Sequence, residues 1–356
     1  MRTRSVLRLA TALLFVFIGS FVAATAQDEP HGWLGTQNLK TPYGEFEFKN
    51  GYPVGDTAER LLDLELRNRA IEVYLTNMMA VSQRASDEGI EAAGVTRSNK
   101  MIIWEQLLDA QTLLLTGNTE TVYAIGRLDL RKDGPTVIEA PPKMLGIIQD
   151  GVQHYLTDIG PLGPDKGAGG KFLVLPPGYT GEVPNGYFVV KSPTYSVIFF
   201  LRGFQVDNKT DEPVALIKQA KVYPLSAAAA RPTMEFLNGS NTSIDLLFPD
   251  NIHYFELLAR QVGDEPLDAF GPLERGQMQS IGIEKGKPFA PDEHAKQLLA
   301  EAAQLGGAIA RAQAFGPLPT DAYYYKGKQW QGILPGVDYT FTRDGAPLID
   351  ARINAY

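Results

Sequence analysis

Residues Gly170–Phe204 read GKFLVLPPGYTGEVPNGYFVVKSPTYSVIFFLRGF. Three short runs, dense in aromatic and β-branched residues, are cut by Pro176-Pro177-Gly178, Pro184-Asn185-Gly186 and Ser192-Pro193. Breaks of this kind between apolar runs predict antiparallel strands joined by turns, repeating fast enough for a β-sandwich or barrel. The stretch contains no catalytic motif.

Upstream, Thr121–Leu130 alternates with period two, Asp133-Gly134-Pro135 is a turn, and Thr136–Glu139 opens a further strand. Residues 147–159 fit a strand or a helix, and the Gly-rich piece 160–170 reads as a loop. Two helices are predicted before these strands. The first starts at Thr57 behind Asp56, carries Leu66, Ala70, Val73, Tyr74, Met78 and Val81 on one side, and ends across Asp87, Gly89 and Gly94. The second covers Asn99–Thr116, with Ile103, Leu107, Ala110 and Leu114 on one face and Gly117 as its stop. Downstream, helices are expected from Asp211, near Asn251–Gln261 and over residues 291–313. The chain therefore reads as α+β, mainly β. It divides into 27–117 (extension and helix pair), 118–230 (sandwich core), 231–322 (mixed, mostly helical) and 323–356 (short strands).

Residues 1–26 read differently from the rest. Arg2, Arg4 and Arg8 precede an apolar run from Leu9 to Ala24, and Ala24-Thr25-Ala26 places small residues where a signal peptidase cuts. The expectation is an exported protein, periplasmic or secreted, with no membrane insertion once the leader is removed. Removal of those three arginines takes the formal charge from −8 to −11. An acidic chain without a basic cluster is a poor match for nucleic acid. The absence of cysteine excludes disulfides, thiolate metal sites and Cys nucleophiles.

Several segments together resemble a known family. The set comprises the amphipathic helix pair, Asn118–Tyr123, Leu128-Asp129-Leu130, Gly170–Tyr179 and the run from Pro184-Asn185-Gly186 to Leu201-Arg202-Gly203. With Ile281-Gly282-Ile283 and Gly286–Phe289, it is similar to the family called domain of unknown function 1254, over roughly Pro53–Phe289. Glu120 stands where that family usually has Asp. The resemblance implies a jelly-roll-like β-sandwich flanked by helices, in mostly exported bacterial proteins of no established activity. Family members commonly continue into a second sandwich, domain of unknown function 1214. Tyr323, Trp330, Tyr339, Asp350 and Arg352 look like the approach to it, and the expectation is a form lacking that domain, either a truncated product or one to which the two-domain arrangement does not apply.

Candidate chemistry is sparse. No Gly-x-Ser-x-Gly elbow occurs, and the glycines of 163–171 lack the spacing and the Ser or Thr of a phosphate loop. No cofactor or metal is implied, because the four histidines include no pair at ligand spacing. Asp150, His154 and Asp158 form the most compact His–carboxylate set, on one face under either helical or strand spacing. They read as a general base with its orienting acid, as an oxygen-rich metal edge, or as a solvated polar edge. Glu120, beside Tyr123 and Asp129, is a further acid candidate if buried; otherwise Asn118 and Glu120 fix a turn. Arg202, in an otherwise apolar strand, either clamps a carboxylate or sugar, with Tyr123 and Tyr195 as aromatic partners, or pairs with an acid such as Glu120. The reading favoured is a module binding a small organic or saccharide ligand in a sandwich cleft. The alternatives are a hydrolase using Asp150 and His154, and an assembly role as a homo-oligomer.

Overall fold

The computed structural model describes residues 37–316, 323–328, 330 and 341–355. The leader and Tyr339 lie outside these. Two compact units divide at Leu61/Leu62.

In the first unit, β1 (Gln37–Thr41), β2 (Gly44–Lys49) and β3 (Tyr52–Pro53) form a small antiparallel meander. Arg60 lies over the Phe46 ring, 4.9 Å from its centroid, and donates to the Glu45 carbonyl.

The second unit is mixed α and β. Helix α1 (Thr57–Ala92) begins in the first unit and runs on into it. There follow β4 (Lys100–Ile103), β5 (Thr112–Leu113), β6 (Thr121–Asp129), α2 (Leu130–Asp133), β7 (Thr136–Ala140), β8 (Met144–Asp150) and β9 (Tyr155–Ile159). Next come β10 (Gly170–Leu175), β11 (Phe188–Lys191), β12 (Ser196–Phe204), α3 (Asp211–Ile217), β13 (Lys221–Pro224), β14 (Glu235–Asn238) and β15 (Ile244–Asp245). Then come α4 (Ile252–Asp264), α5 (Pro272–Ser280), α6 (Glu293–Ala314), the ribbon β16 (Thr342–Arg343) with β17 (Ala346–Pro347), and α7 (Ile349–Ala355).

Two sheets carry the architecture, in the orders β11-β10-β7-β13 and β14-β4-β6-β12-β8-β9. Side chains of both enter one apolar cluster, with Ile138, Phe172 and Val222 from the first sheet meeting Ala124, Ile148 and Phe199 from the second. The other face of the six-stranded sheet presents Ile102, Tyr123, Ile125 and Ile198 to a second cluster that includes Ile90 of α1 and Trp104. Its central strands are thus buried on both faces. A third cluster joins α1, α4 and α6 through residues such as Val73, Phe255 and Leu299. Tyr74 and Tyr254 stack inside it with centroids 4.1 Å apart.

The three runs of 170–204 are the strands β10, β11 and β12, but their pairing is not that of successive hairpins. β10 and β11 are parallel neighbours, because the connection 176–187 is long enough to carry the chain back to the same end, while β12 crosses to the other sheet.

The helix expected over Asn99–Thr116 is absent. That segment holds β4 and β5, separated by a turn in which Leu107 takes φ 72°. Met101 and Ile103 enter one apolar cluster, Ile102 and Trp104 another, so the run is apolar on both faces and its period is hidden. Helix α1 also continues past Asp87 and Gly89, to Ala92. Gly89 is a close-approach residue, where an added Cβ would run into the Asp245 carbonyl.

Candidate functional site

The ladder β6–β12–β8–β9 builds a floor. Its register sets Arg202 between Tyr123 and Leu145, Phe200 between Ile125 and Ile147, and Gln149 opposite Tyr155. Alternation puts these side chains on the face turned away from the two-sheet core, which takes Val122, Phe199, Leu201 and Ile148 instead. Ser82, Gln83 and Ser86 of α1 and the segment Leu114–Gly117 wall this face, and Leu246 and Phe341 complete the enclosure. The resulting cleft has a volume of about 370 Å³, and among the described residues no Asp or Glu lines it.

Its polar groups are few and underused. Arg202 lies 5.8 Å from the centroid of the Tyr123 ring, and among the described residues no carboxylate stands within ion-pair reach of it. The expected pairing with Glu120 is not made: Glu120 is exposed, and its carbonyl accepts from Gln205. Gln83 is only 4% exposed, yet its Nε2 has no partner, and the Oε1 of Gln153 is likewise buried and unpaired. The Tyr123 hydroxyl accepts from Asn118 at 2.9 Å, and the Ser86 hydroxyl donates to the Leu246 carbonyl at 3.3 Å.

The Asp150, His154, Asp158 set does not share one face. Residues 147–159 form a hairpin, β8 turning into β9, rather than one strand or helix. Asp150 follows the core-facing positions of β8 and is fully buried. Its Oδ1 accepts from the backbone N–H of Val152 (3.0 Å) and His154 (2.7 Å), while Oδ2 meets the His154 Nδ1 at 3.1 Å. This carboxylate closes the hairpin turn. Asp158 pairs with Ile147, on the opposite face, where its Oδ2 accepts from the Tyr155 hydroxyl at 3.1 Å. Among the described residues, no three His, Asp or Glu side chains converge as metal ligands.

Glu120 does not meet the condition for a buried acid, since it stands exposed at the strand entry. Asn118 organises that entry, its Oδ1 accepting from the N–H of Glu120 and Thr121 and from the Thr121 hydroxyl.

Tyr195 belongs to a different network from Tyr123 and Arg202. It precedes β12 at the end remote from Arg202, and the Arg131 guanidinium covers its ring at 4.5 Å. Its N–H donates to Glu265 Oε2 at 2.6 Å, and the Ser196 N–H and hydroxyl both donate to Glu265 Oε1. Burial pushes the Glu265 carboxyl up, and the bonds from Ser196 and Tyr195, with Arg131 nearby, only partly oppose this. Gln261 donates to the Gly151 carbonyl and Lys285 reaches the Glu265 carbonyl, so the C-terminal end of α4 is tied to the hairpin turn and to β12.

Gln83, Gln149, Gln153 and Tyr155 escaped the sequence reading. Glutamine on a helix face or in a turn carries no spacing signature. The register of β8 against β9 and β12 brings Gln149 and Tyr155 to Arg202, and the packing of α1 on the sheet brings Gln83.

Residues 98–224 match the model of a family described as a protein of unknown function, DUF1254. The match runs from just before β4 to the end of β13. It therefore includes the cleft floor and excludes the α1 wall. The fold is similar to that in the crystal structure of the VPA0106 protein from Vibrio parahaemolyticus, with a TM-score of 0.53 and 18% identity over 82% of this chain. This chain spans 66% of that protein. A crystal structure of an uncharacterized protein from Burkholderia cenocepacia matches 68% of this chain and 57% of its own at 12% identity, with a TM-score of 0.26. No curated protein matches the sequence.

Proposed function

We propose that the protein is a binding module that holds a small organic molecule in the cleft between α1 and the outer face of the six-stranded sheet. The observation that carries this reading is the cleft itself. At about 370 Å³ it falls in the range of small-molecule sites, and aliphatic and aromatic walls enclose a few convergent polar groups. The partnerless amide atoms of Gln83 and Gln153, at the lining, support the reading, since a buried polar group left unpaired costs about 1–3 kcal/mol. On this account the two sheets are a jelly-roll-like sandwich, and the ligand sits outside it, beneath the helix. Residues 1–26, read as a leader, support an encounter in the periplasm or outside the cell.

Crystals of the protein soaked with a library of small aromatic and aliphatic fragments test the proposal. The expected result is that fragments concentrate between Phe200, Tyr155 and Gln83. Fragments distributed over other surfaces, with this cleft passed over, would count against it.

A further inference from the structure

We propose that the cleft selects an organic monocarboxylate with an apolar or aromatic body, anchored by Arg202. The proposal rests on the reading of the cleft as a ligand site and names the ligand's chemistry. The charges in the lining lead to it. Arg202 is the one ionised side chain among the described lining residues, in a chain whose formal charge is −8. Buried or half-buried cations in proteins are ordinarily paired with acids. Here the carboxylates are elsewhere: Glu120 is exposed at the strand entry, and Asp158 bonds Tyr155.

The contact that Arg202 does make is with the Tyr123 ring, its Cζ standing over the ring 5.8 Å from the centroid. Among the described residues no hydrogen bond or ion pair engages its N–H donors, and their fork matches a carboxylate in two-point geometry. The stoichiometry is also informative. A single guanidinium, with no second Lys or Arg among the described lining residues, balances one negative charge, which favours a carboxylate over a phosphate dianion. Gln83, whose Nε2 is buried and unpaired, lines the same cleft. Phe200, Ile147, Leu114 and Leu246 offer apolar surface to the remainder of the molecule.

Titration of the full chain with 3-phenylpropionate and with its neutral counterpart 3-phenylpropionamide tests the proposal. The expected result is that the carboxylate binds at least about tenfold more tightly than the amide, the effect of a charge-assisted bond in a partly dry site. Arg202→Gln should abolish that preference. Arg202→Lys, which keeps the charge without the fork, should retain only part of it. Equal binding of both probes to the unmodified protein would overturn carboxylate selection while leaving the cleft a ligand site. So would a preference that survives Arg202→Gln in a variant that unfolds as cooperatively as the parent. Failure of both probes to bind would overturn the cleft reading and this inference with it. The comparison on the unmodified protein decides the matter even if Arg202→Gln does not fold.

Discussion

Arg127 on β6 grips Asp87 on α1 through two parallel bonds, Nε to Oδ1 and Nη2 to Oδ2, each 2.6 Å long. Both side chains are nearly buried, at 14% and 10% exposure, and Glu91 stands 3.7 Å from the same guanidinium. Asp87 lies one helical turn beyond Gln83, so this clamp fastens the wall of the cleft to its floor. Asp87→Asn removes the two-point carboxylate and leaves the guanidinium only Glu91 within ion-pair reach among the described residues, and it should destabilise the protein by about 3 kcal/mol. Urea unfolding measures the loss. Replacing both partners, Asp87→Leu with Arg127→Met, should recover part of it, and a fully additive double variant would contradict the clamp.

The Asp150 carboxylate is placed to hold a turn. Asp150→Ala orphans the N–H groups of Val152 and His154 and should cost about 2–3 kcal/mol of stability. His154→Gln removes a side chain that is 45% exposed and should cost less than about 1 kcal/mol. Thermal unfolding of the two variants separates them, and similar losses at both positions would contradict this division of roles.

Glu265 gives stability a pH dependence of definite sign. Its carboxyl is raised above the ordinary value of 4.5 by burial, so unfolding at a pH between that value and the raised folded value releases a proton. Both states are protonated well below 4.5, and the contribution is then fully present. It falls as pH rises from there through the raised folded value. Glu265→Gln should flatten this limb of the curve of Tm against pH, whatever it does to the absolute Tm. An unchanged slope would show that Glu265 ionises normally.

Gly89 sits inside α1, where alanine would ordinarily be the better helix former by about 1 kcal/mol. Because a Cβ there collides with the backbone carbonyl of Asp245 and with Leu246, Gly89→Ala should instead destabilise by about 1–3 kcal/mol. The sign alone tests the packing of α1 against β15, and calorimetry supplies it.

How far the sequence discloses this structure depends on whether a side chain's neighbours are local. The strands β6, β10 and β12 are legible because period two and Pro/Gly punctuation survive in the sequence. Helices α1, α4 and α6 are legible because one face stays polar. Met101–Trp104 misleads because both its faces are buried, which erases the period. Residues 147–159 mislead because Asp150 caps a turn that no Pro marks. Arg202 is conspicuous as a charge in an apolar run, but its lack of an acid partner depends on where Glu120 and Asp158 fall, which only strand register decides. Gln83 arrives from a helix more than a hundred residues away in the chain and leaves no local trace.

The central claim is that the cleft over Phe200 and Arg202 is where this protein meets its ligand. A crystal structure of the full chain grown with 3-phenylpropionate tests it most directly. The account predicts the phenyl group against Phe200 and Leu246, and the carboxylate in two-point contact with Arg202. The acid bound elsewhere, with this cleft holding solvent alone, would contradict it.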